Sequence, residues 1–81
     1  MSHGIFVLHG WYRWSIVGVD DRMIATGFSH TFNLAVRDAV TIATDRGVVP
    51  NGATNNVQIH GPQRGHWHVD RMAGDIVTRP I

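Results

Sequence analysis

Alternation of apolar and polar side chains predicts a β-strand over residues 11–19. One set of alternate positions carries large apolar or aromatic side chains, and we expect it to face the core: Tyr12, Trp14 and Ile16. The other set is more polar. A strand of this kind has one face covered by the rest of the protein and one face left open.

A second strand is predicted directly after the first. Asp20 and Asp21 supply side chains that favour a tight turn, and residues 23–28 then continue as a strand, which makes a hairpin. We expect Ile24 and Phe28 to join the buried side of this strand. A short apolar run at residues 5–8 predicts one further buried strand near the N-terminus.

Helical spacing replaces the alternation from residue 32 onwards. Ser29 and Thr31 are candidate N-caps, and Gly47 is well placed as the C-terminal stop. One stripe of the predicted helix is apolar and comprises Phe32, Ala35, Val36, Ala39, Val40, Ile42 and Ala43. We therefore expect the helix to cover one face of the sheet.

Two more strands are predicted after a loop at residues 48–55, which contains Pro50 and an Asn-Gly pair. They cover residues 56–60 and 66–69 and are joined by a glycine-bounded turn at residues 61–65. Residues 75–78 predict an edge strand or a frayed tail. The order indicates an α+β fold, ββαββ-like, in which one amphipathic helix packs on one face of an antiparallel sheet of about four to five strands. We expect a single domain over residues 1–81.

Composition narrows the function classes. The chain has 81 residues and no cysteine, which excludes disulfides and thiolate metal sites. It has no apolar run near the roughly 20 residues of a membrane span, and its first residues lack the pattern of a signal peptide. We therefore expect a cytoplasmic protein with no membrane contact. The net charge of +1 argues against strong, sequence-independent binding to nucleic acid.

No constellation of residues points to catalysis. The three serines lack the context of a nucleophile, and the paired carboxylates Asp20 and Asp21 are better explained as a turn. Six histidines raise the question of a metal, since His66 and His68 would share one strand face and His60 or His9 could approach from a neighbouring strand. No cysteine or glutamate is available to complete such a site, so we expect no metal, no cofactor and no enzymatic activity.

Aromatic and arginine residues interleave in two places, around residues 11–14 and 64–68, and every basic residue other than histidine is arginine. Arginine and tryptophan are favoured at protein interfaces. The candidate partner-binding residues are Trp11, Arg13, Arg22, Arg64, His66 and Arg71. The alternative is that these arginines form ordinary solvated surface.

Two resemblances add to this interpretation. The segments Trp14-Ser15-Ile16-Val17 and Val57-Gln58-Ile59-His60-Gly61 resemble a family of small phage and bacterial proteins of unknown function, with a strand-strand-helix-strand-strand layout. The small size, the lack of cysteine and the single sheet also resemble the anti-CRISPR proteins that block type I effector complexes. The second resemblance implies an inhibitor that docks on the Cascade complex and prevents target DNA from binding.

We therefore expect a non-enzymatic protein-binding inhibitor, as a monomer or homodimer, with subunits of a CRISPR effector complex as partner. One alternative is a nucleic-acid-binding domain that stacks bases on its sheet. Another is a metal site formed by histidines, and a third is a phage structural or assembly accessory protein.

Overall fold

The computed structural model describes residues 10–62 and 64–81. The strands are β1 (Tyr12–Val17), β2 (Met23–Ser29), β3 (Val57–Gly61), β4 (Gly65–Met72) and β5 (Asp75–Pro80), and helix α1 (Phe32–Asp45) lies between β2 and β3. All pairings are antiparallel, in the order β2-β1-β3-β4-β5. The predicted α+β class is confirmed, and the tail forms an edge strand. The strand expected at residues 5–8 lies outside the described residues.

Helix α1 begins and ends at the residues that its sequence favours. Thr31 is the N-cap, with φ −127° and ψ 162°, and its Oγ1 accepts a hydrogen bond from the backbone N–H of Leu34 at 3.1 Å. Gly47 follows the C-terminal end with φ 72°, in the left-handed region that glycine enters without steric cost. The local sequence is therefore sufficient to set both ends of this helix.

The helix packs against β1, β2 and β3, and we call that side of the sheet the helix side. Trp14 and Ile16 of β1 are buried beneath it, together with Ile59 of β3. The helix contributes Phe32 and three fully buried alanines, whose small side chains allow the helix to lie close to the sheet. The predicted cover of residues 32–43 over these strands is confirmed.

A β-bulge in the first hairpin reverses one prediction. Ile16 pairs with Ala25 whereas Val17 pairs with Met23, so β2 holds one extra residue, Ile24, at this point. A one-residue insertion moves every later side chain of the strand to the opposite face. Phe28 consequently lies on the side away from the helix with 43% of its surface exposed, so its predicted burial is wrong.

The side of the sheet opposite the helix, here called the open side, is crossed at one corner by the loop that follows α1. The side chain of Gln58 in β3 donates to the carbonyl oxygen of Asn55 at 2.9 Å. The side chain of Asn55 in turn bonds to Nδ1 of His68 in β4 at 2.7 Å. These bonds hold the loop against the open side near Gln58 and His68. The loop does not cover the side chains at the end of the sheet where α1 begins.

Two ends of the sheet can be distinguished from the strand register. Tyr12, Ser29, Gly61 and Gly65 lie at the end where α1 begins, and Val17, Met23, Met72 and Asp75 lie at the opposite end. The molecule is elongated, with extents of 43 × 23 × 20 Å. Within the described residues, no helix is long and apolar enough to cross a membrane.

Candidate binding surfaces

Aromatic side chains concentrate at the end of the sheet where α1 begins. This surface, here called the aromatic end, comprises Trp11, Tyr12, His30, Phe32, Arg64 and Trp67. Phe32 is its centre: its ring meets Tyr12 and Trp67 edge to face, at centroid distances of 5.8 and 5.3 Å. Because Phe32 is itself buried, these contacts fix the rings around it.

Arg64 lies over this aromatic cluster. Its guanidinium carbon is 4.0 Å from the ring centroid of Phe32 and 5.1 Å from that of Trp67, distances at which the cation is attracted to the ring faces. The indole N–H of Trp67 also donates to the backbone oxygen of Arg64 at 2.8 Å. The arginine is therefore held from both its backbone and its side chain while remaining exposed.

Trp11 lies beside the same cluster. Its ring stacks on that of His30, with centroids 5.0 Å apart and planes 15° from parallel, and 38% of the residue is exposed. A shallow concavity of about 450 Å³ runs between Gly10, His30, Asn33 and Arg64. Trp11 is the most accessible of the three tryptophans, since Trp14 is buried and Trp67 is half-buried.

Two other predicted contact residues lie on the open side. Arg13 of β1 pairs across the ladder with His60 of β3, which pairs with His66 of β4. The two imidazole rings stack with centroids 4.5 Å apart. Together with Ser15 and Gln58 they line a recess of about 140 Å³.

The last two predicted contact residues lie at the far end of the sheet. Arg22 is in the β1–β2 turn, where its Nε is 3.4 Å from a carboxylate oxygen of Asp20. Arg71 is opposite Ile76 near the β4–β5 turn. The six residues therefore do not form one patch: Trp11 and Arg64 share the aromatic end, Arg13 and His66 share the open side, and these two arginines belong to neither.

The sequence did not identify three residues that shape these surfaces. The sequence pattern predicts Phe32 as core and Phe28 as buried, and it offers His60 only as a candidate metal ligand. The signal for His60 was present, since residues 60 and 66 are symmetric about the β3–β4 turn and a hairpin would bring them together. No local signal revealed the bulge that exposes Phe28.

Asp70 of β4 is a carboxylate on the open side whose pKa is shifted by its surroundings. A backbone hydrogen bond from Gly52 lowers the pKa of Asp70 below its ordinary value of 3.8, and partial desolvation opposes this effect. The backbone N–H of Arg71 and the positive charges of Arg79 and His68 lower the pKa further. Asp70 is thus held as a carboxylate by the loop after the helix and by its cationic neighbours.

A metal-binding constellation is not found in the part of the chain that the structure describes, where no three histidine or aspartate side chains are grouped to hold an ion.

The fold and surfaces define a small α+β domain with a single antiparallel sheet, one side of which is covered by a helix. Comparison of the chain with protein-family models, with curated proteins and with solved structures finds no match.

Proposed function

We propose that the protein is a small non-enzymatic module that binds another protein through its aromatic end. The observation that carries the proposal is Arg64, an exposed arginine held over the rings of Phe32 and Trp67. Residues that dominate protein interfaces are mostly tryptophan, tyrosine and arginine that fit into or beside pockets. The aromatic end contains all three types, and Tyr12 and Arg64 line its concavity.

Preorganisation supports the same proposal. A free arginine loses side-chain entropy when a partner immobilises it, which costs about 0.5–1.5 kcal/mol for a flexible side chain. Arg64 is stacked and its backbone oxygen is bonded to Trp67 before any partner arrives. Trp11 is restrained in a similar way by His30. Both side chains can therefore bind a partner at a lower entropic cost.

The particular partner proposed is a protein subunit of a type I CRISPR effector complex, as the resemblance of size and architecture to anti-CRISPR proteins implies. The inhibitor would occupy the complex in the host cytoplasm and prevent target DNA from binding. Its action would be occlusion, which requires a rigid contact surface and no catalytic group.

A binding experiment with purified Cascade tests the proposal. The complex should retain the protein in a pull-down, and an equimolar amount should abolish the mobility shift of target DNA. Arg64→Ala and Trp11→Ala should each weaken binding about tenfold, as expected for central interface residues. Arg22→Ala at the far end is the matched control and should bind within about twofold of the wild type.

Trp11→Ala guards against a folding artefact, because Trp11 is partly exposed and its removal leaves the core unchanged. Unimpaired DNA binding by Cascade at molar excess of this protein would overturn the Cascade assignment. Equal binding by the wild type and both aromatic-end variants would overturn the assignment of the surface.

A further inference from the structure

The open side of the sheet carries a row of four exposed side chains in direct register. Phe28 of β2 pairs with Arg13 of β1, which pairs with His60 of β3, which pairs with His66 of β4. Neighbouring strands lie about 4.8 Å apart, so the row forms a continuous strip across four strands. One end of the strip is an aromatic ring, and the rest is made of hydrogen-bond donors.

The recess beside this strip has the chemistry of an anion site. Arg13 can donate from its terminal nitrogens, since its Nε is the atom directed to Thr26 Oγ1, at 3.3 Å. His60 and His66 present parallel rings, and the hydroxyl of Ser15 lies in the next row. The volume of about 140 Å³ is several times the roughly 30 Å³ that a water molecule occupies in the liquid.

Charge favours an anion over a cation in this recess. Its lining residues include no carboxylate, and among the described residues Arg13 forms no salt bridge. The following row carries His68 and Arg79, which are cross-strand partners. Asp70 is the next carboxylate along β4, and it is already engaged by Gly52. A metal ion would meet the guanidinium of Arg13 without any carboxylate to compensate.

Phe28 indicates which kind of anion the recess binds. Phe28 is 43% exposed and is the direct cross-strand neighbour of Arg13. An exposed aromatic ring beside a cation is the arrangement with which sheets bind single strands, because bases stack on the ring while phosphates meet the cation. We infer that this strip is a single-stranded nucleic-acid site, in which a phosphate occupies the recess and the adjoining base stacks on Phe28.

This strip shares no residue with the aromatic end, so substitutions can test the two proposals separately. The test is fluorescence anisotropy with a labelled oligothymidine of about eight nucleotides, a length within the range bound by single-strand modules. Binding should weaken as salt rises, because contacts with phosphates release counterions. It should persist in the presence of EDTA.

Three substitutions test the proposed nucleic-acid site, and none of them replaces a core residue. Arg13→Gln removes the charge next to the phosphate, His60→Asn removes one of the stacked rings, and Phe28→Leu removes the surface for base stacking. We expect Arg13→Gln and Phe28→Leu each to reduce affinity about tenfold, and His60→Asn to reduce it by a smaller factor. Arg37→Gln, on the exposed face of α1, is the charge-matched control and should leave affinity unchanged.

Several results would overturn the inference. These are the absence of oligothymidine binding at low salt, an affinity that Arg37→Gln reduces as much as Arg13→Gln does, or a loss of binding on addition of EDTA. Binding that inorganic phosphate displaces and that Phe28→Leu leaves unchanged would show a simple anion site without base stacking. Arg64→Ala should reduce Cascade binding without affecting the oligonucleotide, which distinguishes the two proposals.

Discussion

Gly27 of β2 lies directly against the indole ring of Trp14, its cross-strand partner: a Cβ atom at position 27 would be 2.7 Å from Cε2 of the indole. Trp14 is buried beneath the helix, so its ring has little room to move. The missing side chain of the glycine is therefore a packing requirement of the core.

Gly27→Ala should consequently destabilise the protein by about 1–3 kcal/mol, the usual cost of forcing extra atoms into a packed core. Elsewhere in a strand, the same substitution would be expected to stabilise the chain by reducing its unfolded-state entropy. Urea denaturation measures the difference. In a Trp14→Phe background the smaller ring should reduce the cost of Gly27→Ala, and strict additivity of the two changes would contradict the proposed overlap.

The N-cap of α1 provides a second test. Thr31→Ala removes the oxygen that accepts from the N–H of Leu34 and should cost about 1 kcal/mol in the free energy of unfolding. Thr31→Ser keeps that oxygen and should retain most of the stability. Thr41→Ala is the matched control within the helix; it is exposed, and alanine has the higher helix propensity, so the protein should be unchanged or slightly more stable.

The two phenylalanines of the described region should respond very differently to truncation. Phe32→Ala removes the centre of the aromatic end and should cost about 3–5 kcal/mol. Phe28→Ala should cost less than about 1 kcal/mol, because its ring lies on the open side. Thermal or chemical unfolding of the two variants compares them directly. Equal losses would mean that Phe28 is buried and that the bulge is absent.

Asp70 predicts a pH dependence of stability. The pKa of Asp70 in the folded protein is lowered. The ionised carboxylate therefore makes its full contribution to the free energy of unfolding at pH values above the ordinary pKa of 3.8. That contribution disappears as the pH falls through the lower folded-state pKa, because the carboxylate is then protonated in both states. Asp70→Asn should therefore be less stable than the wild type at neutral pH, and the difference should shrink in strong acid.

Asp75→Asn serves as the control for this experiment, since Asp75 is exposed at the start of the edge strand. Asp75→Asn removes the same charge from the chain and keeps the hydrogen bonds that Gly52 and Arg71 donate to Asp70. A difference between wild type and Asp70→Asn that is independent of pH would show that the carboxylate charge has no role.

The candidate surfaces were predictable only in part. Trp11 and Arg64 could each be selected from residue type and local pattern, but they are 53 positions apart along the chain. They share one end of the sheet because β1 pairs with β3, and β3 in turn pairs with β4. Arg22 has the same chemistry as Arg64 and lies at the opposite end, where Asp20 engages it. Residue type alone could not separate these two arginines.

The sequence by itself determined the helix with both its ends, the buried side of β1 and the α+β class. These features depend on periodicity and on capping residues within a few positions, which short-range sterics and hydrogen bonds enforce. Only the tertiary structure decided that β1 lies between β2 and β3, and that Ile24 is the extra residue that turns Phe28 outward. Strand order and register are set by pairing between distant segments, so no local pattern contains them.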